Sequence, residues 1–364
     1  MRERQWMDKS AYTYGLHGTP TTFTLEERIA TLEGGLQCLL APSGLAALAL
    51  VNLGLLKTGD EVLLPDNAYG PGKDLAAGEL RQFGITHQVY DPMKPADLAD
   101  RVTPRTRLVW LEAAGSVTLE FPDLLAQARL CRELGVLSAL DNTWGAGLAF
   151  NPFNLDGRGL AVDISVQALT KYPSGGGDVL MGSVVTRDAA LHRKLKLCHM
   201  RLGLGVGGND AEAVLRALPT LPLRYAAADR SARRLAEWAA RQAPFAQVLH
   251  PALPASPGHA HWQAVCGAAD AAGQGAAASL FSVVIGEKFS REQVDAFCDA
   301  LRLFRIGYSW GGPFSLVMPY ELQTMRHDWP AHLARGTLVR FAIGLEDTAD
   351  LQGDLQHAMQ QTLA

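Results

Sequence analysis

Between residues 60 and 190, short apolar runs rich in β-branched side chains alternate with helix-like stretches, and few architectures accommodate that alternation. The runs fall at 61–64, 86–90, 108–111, 136–140, 163–168 and 179–185. Stretches 71–83 and 123–134 carry apolar residues three and four apart. A chain written this way predicts an α/β fold: a mostly parallel sheet with helices on both faces, because parallel neighbours need a crossover and the crossovers cover the sheet. Ligands of such sheets bind beyond the carboxyl ends of the strands. Polar residues directly after these runs are therefore the ones to inspect.

After residue 218 the texture changes. Pro219 and Pro222 precede an Ala/Arg-rich helix expected over 224–241, followed by a Pro/His/Gly-rich connection over 250–261. Strands expected at 279–285 and 337–343 flank a helix at 291–301, which reads as a smaller α+β unit. The expected division is a short N-terminal arm (1–19), a large domain (20–217) and a C-terminal domain (218–364). A length of 364 residues suits two domains.

Several function classes drop out. Apolar residues at 48% and charged residues at 19% exclude a disordered chain. A net charge of −4 gives no global attraction to nucleic acid or anionic lipid. The five cysteines are odd in number and form no C-x-x-C, so a reducing cytoplasm is expected rather than a disulfide framework. Residues 35–56 are long and apolar enough to raise a membrane span. Gln37, Pro42-Ser43-Gly44 and Asn52 interrupt them, and a strand, a sharp turn and a buried helix are expected instead. A G-x-G-x-x-G at Gly203, Gly205 and Gly208 follows the basic amphipathic stretch LHRKLKLCHMRL rather than a strand, so it reads as a glycine-rich loop and not a dinucleotide site. His259 and His261 lack a third ligand at metal spacing, and no metal is expected.

Only eight of the 33 basic residues are lysines. Seven sit in loops, at a helix end or on amphipathic helices, where solvation is expected. Lys171 differs: it ends the run VDISVQALT and opens the turn KYPSGGGD. A lysine at the end of a buried strand has its pKa lowered by desolvation, which suits a Schiff-base nucleophile. By position alone it is equally a strand-end lysine snorkelling to solvent. Asp141, thirty residues earlier, also follows an apolar run. It is either a turn or cap residue or a buried carboxylate awaiting a cation. Tyr69 closes EVLLPDNAY, as a stacking face or a loop wedge. Pro42-Ser43-Gly44-Leu45 opens a helix whose free N–H groups suit a phosphate. A phosphate, a ring to stack, a ring nitrogen for a carboxylate and an aldehyde for a lysine together describe pyridoxal phosphate.

The blocks YGLHGTPTTFTLEERIATLEGG, LAPSGLAALAL, DNAYGPGKD, LDNTWGAG, SVQALTKYPSGGGDVLMGSVV, HPALPASPGH, GYSWGG and LVRFAIGLED carry a resemblance over nearly the whole chain. It resembles the Cys/Met-metabolism pyridoxal-phosphate enzymes of fold type I, most closely the bacterial cystathionine β-lyases. The resemblance implies an aspartate aminotransferase-like large domain with a mostly parallel seven-stranded sheet. It implies that Lys171 holds the cofactor and moves the α-proton, Asp141 pairs with the pyridinium, and Tyr69 stacks on the ring. Gly44, Leu45 and Thr170 would hold the phosphate. Arg340 would bind the substrate carboxylate, with Tyr308, Ser309 and Trp310 lining the substrate side. Tyr14 would reach the phosphate of a neighbouring subunit, making a homodimer the minimal unit and a homotetramer the usual assembly. The implied reaction is α,β-elimination of cystathionine or a related S-substituted cysteine to pyruvate, ammonia and a thiol. A γ-lyase or γ-synthase reaction on the same scaffold is the alternative, and a non-catalytic cofactor-binding relative the more distant one.

Three positions and the start of the chain are expected to depart from the family pattern. Leu16, followed by His17, stands where an arginine is usual, and Phe314 where an acid is usual, which predicts a more apolar distal pocket. A tyrosine of the active-site region is expected to be replaced near Met200. The chain also begins later than relatives that carry a longer N-terminal arm.

Overall fold

The computed structural model describes residues 9, 12, 14–267 and 274–363. Most of the expected N-terminal arm therefore lies outside the described residues. Strands β1 (Gln37–Ala41), β2 (Glu61–Pro65), β3 (Thr86–Tyr90), β4 (Thr106–Glu112), β5 (Leu137–Asp141), β6 (Ile164–Ala168) and β7 (Gly182–Thr186) form one sheet in the order β1-β7-β6-β5-β4-β2-β3. All neighbours pair parallel except those of β7, which runs antiparallel to both β1 and β6. The expected seven-stranded, mostly parallel sheet is present. The run at 179–185 forms a strand only from Gly182, and in the reversed sense, since residues 169–181 turn the chain straight back on β6.

Helices α1 (Pro20–Glu33), α2 (Gly44–Leu55), α3 (Gly70–Leu75), α4 (Pro95–Arg101), α5 (Leu124–Leu134), α6 (Ala189–Leu202) and α7 (Gly208–Ala217) accompany this sheet. The helix expected over 71–83 is present but irregular: α3 passes into one wider π-type turn at Ala76–Leu80 and helical backbone continues to residue 82. Side chains of each strand alternate between two cores, as the pleat requires. Leu63, Val109, Leu111 and Leu140 point into the core covered by α1 and α5. Val62, Leu64, Leu108 and Trp110 point into the one covered by α2. Gly203 ends α6 in the left-handed conformation, so the glycine motif indeed follows a helix. Residues 35–56 form β1, a turn and the buried α2, and among the described residues no helix is long and apolar enough to cross a membrane.

A second sheet, β10-β11-β12-β9-β8, comprises β8 (Phe245–Leu249), β9 (Leu280–Gly286), β10 (Arg305–Ile306), β11 (Leu316–Tyr320) and β12 (Gly336–Ala342). It travels with α8 (Leu221–Ala239), α9 (His259–Cys266), α10 (Arg291–Ala300), α11 (Leu322–Met325) and α12 (Thr348–Thr362). Phe281, Val283, Phe297, Phe341 and Leu355 build its own core. All five cysteines are free. Two lysines expected to be solvated are not: Lys196 is buried and donates to the His17 carbonyl at 2.8 Å, and Lys73 donates to the carbonyls of Asp66 and Met325. In both, backbone carbonyls take up the ammonium group.

Candidate active site

The carboxyl ends of β2, β4, β5 and β6, the start of α2 and two segments of the second sheet enclose a cleft of about 580 Å³. Lys171, Asp141, Tyr69, Gly44, Leu45, Thr170, Arg340, Tyr308, Ser309 and Trp310 all line it. Tyr14 does not: it is exposed, with its ring edge against His17.

Asp141 is the last residue of β5. Its Oδ1 accepts from the Thr143 N–H at 3.0 Å and the Thr143 hydroxyl at 2.5 Å. The same hydroxyl oxygen accepts from the Ala168 N–H at 2.9 Å, locking the end of β5 to the end of β6. Burial raises the Asp141 pKa, and the Thr143 bonds and Lys171 oppose that rise. A partly buried carboxylate held this way calls for a cation in the cleft.

Lys171 follows β6 in the connection to β7. The Thr170 N–H donates to the Met181 carbonyl at 3.2 Å, and the Met181 N–H donates to the Thr170 hydroxyl at 3.1 Å. The turn that presents Lys171 is thereby closed locally. Lys171 Nζ donates to Ser309 Oγ at 2.9 Å and lies 5.2 Å from the centre of the Trp310 ring. Burial, assisted by the positive charge of Arg340, lowers its pKa to about 8, against the pull of Asp141. The Ser309–Trp310 tip reaches this position through Gly311, whose φ of +78° and close approach to Lys171 and Tyr172 exclude a side chain.

Tyr69 precedes α3 and keeps 43% of its surface exposed, leaving a ring face available. Its N–H donates to Glu112 Oε2 at 2.8 Å. Glu112 ends β4 in register with Asp141. Burial and the Asp141 carboxylate push its pKa upward, which favours the neutral acid. Sequence reasoning passed over Glu112, although it carries the same strand-end signal as Asp141. Arg340 on β12 is 6% exposed. It donates from Nη2 to the Tyr308 carbonyl at 2.7 Å and sits 5.3 Å from the Tyr320 ring centre. Its Nε is buried without a partner among the described residues.

Ser43 caps α2 by accepting the Ala46 N–H at 3.0 Å, while the first N–H groups of a helix have no intrahelical carbonyl. Gly44 brings that start onto β6: a Cβ there would stand 2.7 Å from Ala168 Cβ. These residues fit pyridoxal phosphate: an anion cradle, a ring face, a carboxylate that makes no ion pair among the described residues and a lysine of lowered pKa around one cavity. Phe314 corrects one expectation. It is 69% exposed and outside the cleft lining, so it does not render the pocket apolar; Val117, Leu119 and Met325 form the apolar wall instead. Met200 and Leu16 are also absent from the lining.

The family model for Cys/Met metabolism PLP-dependent enzymes matches residues 2–360. A cystathionine beta-lyase of Bordetella avium is 38% identical over 363 residues, covering 99% of this chain and 87% of that protein. The cystathionine beta-lyase MetC of Escherichia coli strain K12 is 35% identical over 347 residues, covering 94% of this chain and 84% of that protein. The solved cystathionine gamma synthase of Xanthomonas oryzae pv. oryzae, in complex with aminoacrylate and cysteine, superposes with a TM-score of 0.85 at 29% identity. It covers 96% of this chain and 88% of that one.

Proposed function

The chain belongs to the Cys/Met metabolism PLP-dependent enzymes, and on that footing we propose that its cleft breaks the Cβ–S bond of cystathionine or a related S-substituted cysteine. With one water consumed, the products are pyruvate, ammonia and a thiol. The observation that carries this reading is the convergence of Lys171, Asp141, Tyr69 and Arg340 on one cavity.

When bound, pyridoxal phosphate supplies an electron-accepting ring that stabilises negative charge at the substrate α-carbon. Asp141 would face the ring nitrogen, Tyr69 the ring, and the N–H groups of Gly44 and Leu45 with the Thr170 hydroxyl the phosphate. Arg340 binds the substrate α-carboxylate; its buried, unpartnered Nε supports that role, since a guanidinium fork matches a carboxylate. Lys171, with its pKa lowered to about 8, is partly neutral near that pH and takes the α-proton at Nζ. Ser309 accepts from Lys171 and so directs the amine. Tyr308 and Trp310 line the substrate side.

The wider organisation follows the same reading. Residues 20–217 form the cofactor domain and 218–364 the domain that carries Arg340. Tyr14, exposed and away from its own cleft, suits a homodimer in which it reaches the cleft of a second copy, and a tetramer of two such dimers. Five free cysteines suit a reducing, cytoplasmic setting. The purified protein should show the visible absorption of lysine-bound pyridoxal, and borohydride should fix the label on Lys171. Incubation with cystathionine or short S-alkyl cysteines should release pyruvate. Release of 2-oxobutyrate instead would assign γ-elimination, and release of neither would refute the lyase reading.

A further inference from the structure

Glu120 lies in the segment that leaves β4, its side chain wholly buried. It accepts from Arg326 Nη1 at 2.8 Å, from the Thr118 hydroxyl at 2.8 Å and from Asn67 Nδ2 at 3.2 Å, and it pairs with His332 Nε2. Arg326 turns its Nε to Asp66 Oδ2 at 2.7 Å. Burial alone would raise the Glu120 pKa; His332 and Arg326 hold it down to about 2. The group is therefore ionised across the working range of pH.

The network joins three segments far apart in sequence, and each lines the cleft. Asp66 and Asn67 lead directly into Tyr69. Glu120 closes the loop that carries Val117 and Leu119. Arg326 follows Met325. A buried ion pair adds little net stability, because desolvation offsets the attraction. Its hydrogen-bond geometry is nevertheless narrow, above all for an arginine fork. Tyr69 is thus held on one side by its N–H on Glu112 and on the other through Asp66 on Arg326.

We propose that Arg326 and Glu120 are positioning residues: their buried pair sets the Tyr69 loop against the Met325 segment and fixes the width of the cleft in which the cofactor ring stacks. The inference rests on the reading of Tyr69 as the stacking residue. Neither residue touches the reacting atoms; both act through Tyr69 and Met325.

The test uses the holoenzyme with His332→Leu, His332→Gln and Arg326→Lys. The His332 side chain is 35% exposed at the network's edge, so replacing it takes one partner from Glu120 and loosens the Arg326–Glu120 geometry while both members of the pair remain. The readouts are the circular dichroism induced in the bound cofactor's visible band, KM and kcat. His332→Leu should lower that dichroism by about half and raise KM about fivefold, with kcat within about twofold, because small misplacements tell strongly on bound geometry. His332→Gln, which keeps a donor, should restore both. Arg326→Lys keeps the charge but loses the fork, and should shift both quantities further in the same direction. Native dichroism and KM in His332→Leu and Arg326→Lys would overturn the proposal, as would a loss that His332→Gln fails to restore. If Arg326→Lys does not fold, the two His332 variants decide. A wild-type protein with no visible band would overturn both this proposal and the cofactor reading, and it is told apart because it shows before any substitution.

Discussion

Gly44→Ala probes the anion cradle more sharply than removal of any side chain, because it changes one distance. The new Cβ would lie 2.7 Å from Ala168 Cβ, whereas contacts below 3.4 Å are already tighter than nine in ten real ones. One side must therefore give by about 0.7 Å to restore ordinary van der Waals contact. Ala168 ends β6, which is paired on one side with β5 and on the other with β7. The start of α2 has to move instead. In the apoprotein it can, and the strain relaxes. Binding a phosphate at the Gly44 and Leu45 N–H groups demands the original position, since such bonds span only about 2.7–3.2 Å. The strain, about 1–3 kcal/mol for one added methyl at a tight contact, then appears as lost affinity, about 5- to 150-fold. Titrating apoprotein with pyridoxal phosphate and following the visible band measures it. Gly78→Ala is the control, because nothing lies within 4 Å of a Cβ there. Equal affinities for Gly44→Ala and Gly78→Ala, within about twofold, would refute both the close approach and the assignment of the phosphate to this helix start.

Two further outcomes are expected. Arg340→Lys should raise KM about 10- to 100-fold while leaving cofactor affinity within about twofold, because the bidentate fork is lost and the charge kept; steady-state kinetics beside a cofactor titration would show it, and an unchanged KM would remove Arg340 from carboxylate binding. In the apoprotein, amine labelling of Lys171 by an aldehyde should follow a titration centred at about 8 rather than the ordinary lysine value of 10.5. The sign follows from the lowered pKa: the neutral, reactive form dominates above that pH and is lost below it. A midpoint near 10.5 by peptide mapping would contradict the burial of Lys171.

The first sheet was legible mainly through its central strands, which are buried on both faces and read as apolar runs, whereas the edge strand β3 is only partly buried. Lys171, Asp141 and Tyr69 were legible for a related reason: each stands where such a run stops. The same rule applied evenly would have found Glu112. Strands β8 and β11 carry no comparable run, with Ala246, Gln247 and Pro319 inside them, and were missed. The reversal of β7 depends on the turn after β6, which apolar patterning does not encode. Phe314 was misplaced because its position was inferred from a neighbouring motif, whereas its side chain faces solvent. The Arg326–Glu120 pair joins residues 206 apart in sequence, and nothing local in either segment announces the other.

The antiparallel return of β7 bears on the order in which the site comes into being. Lys171 sits on a connection between adjacent, directly paired strands, closed by Thr170 and Met181. Its geometry needs only a short loop to close, with a correspondingly small entropic barrier. Arg340 meets Lys171 only after the chain between them has folded into the second sheet, a far longer closure. A refolding chain should therefore form the Lys171 turn early, whereas the lowered pKa of Lys171, which draws on Arg340, should return late and together with affinity for an amino acid.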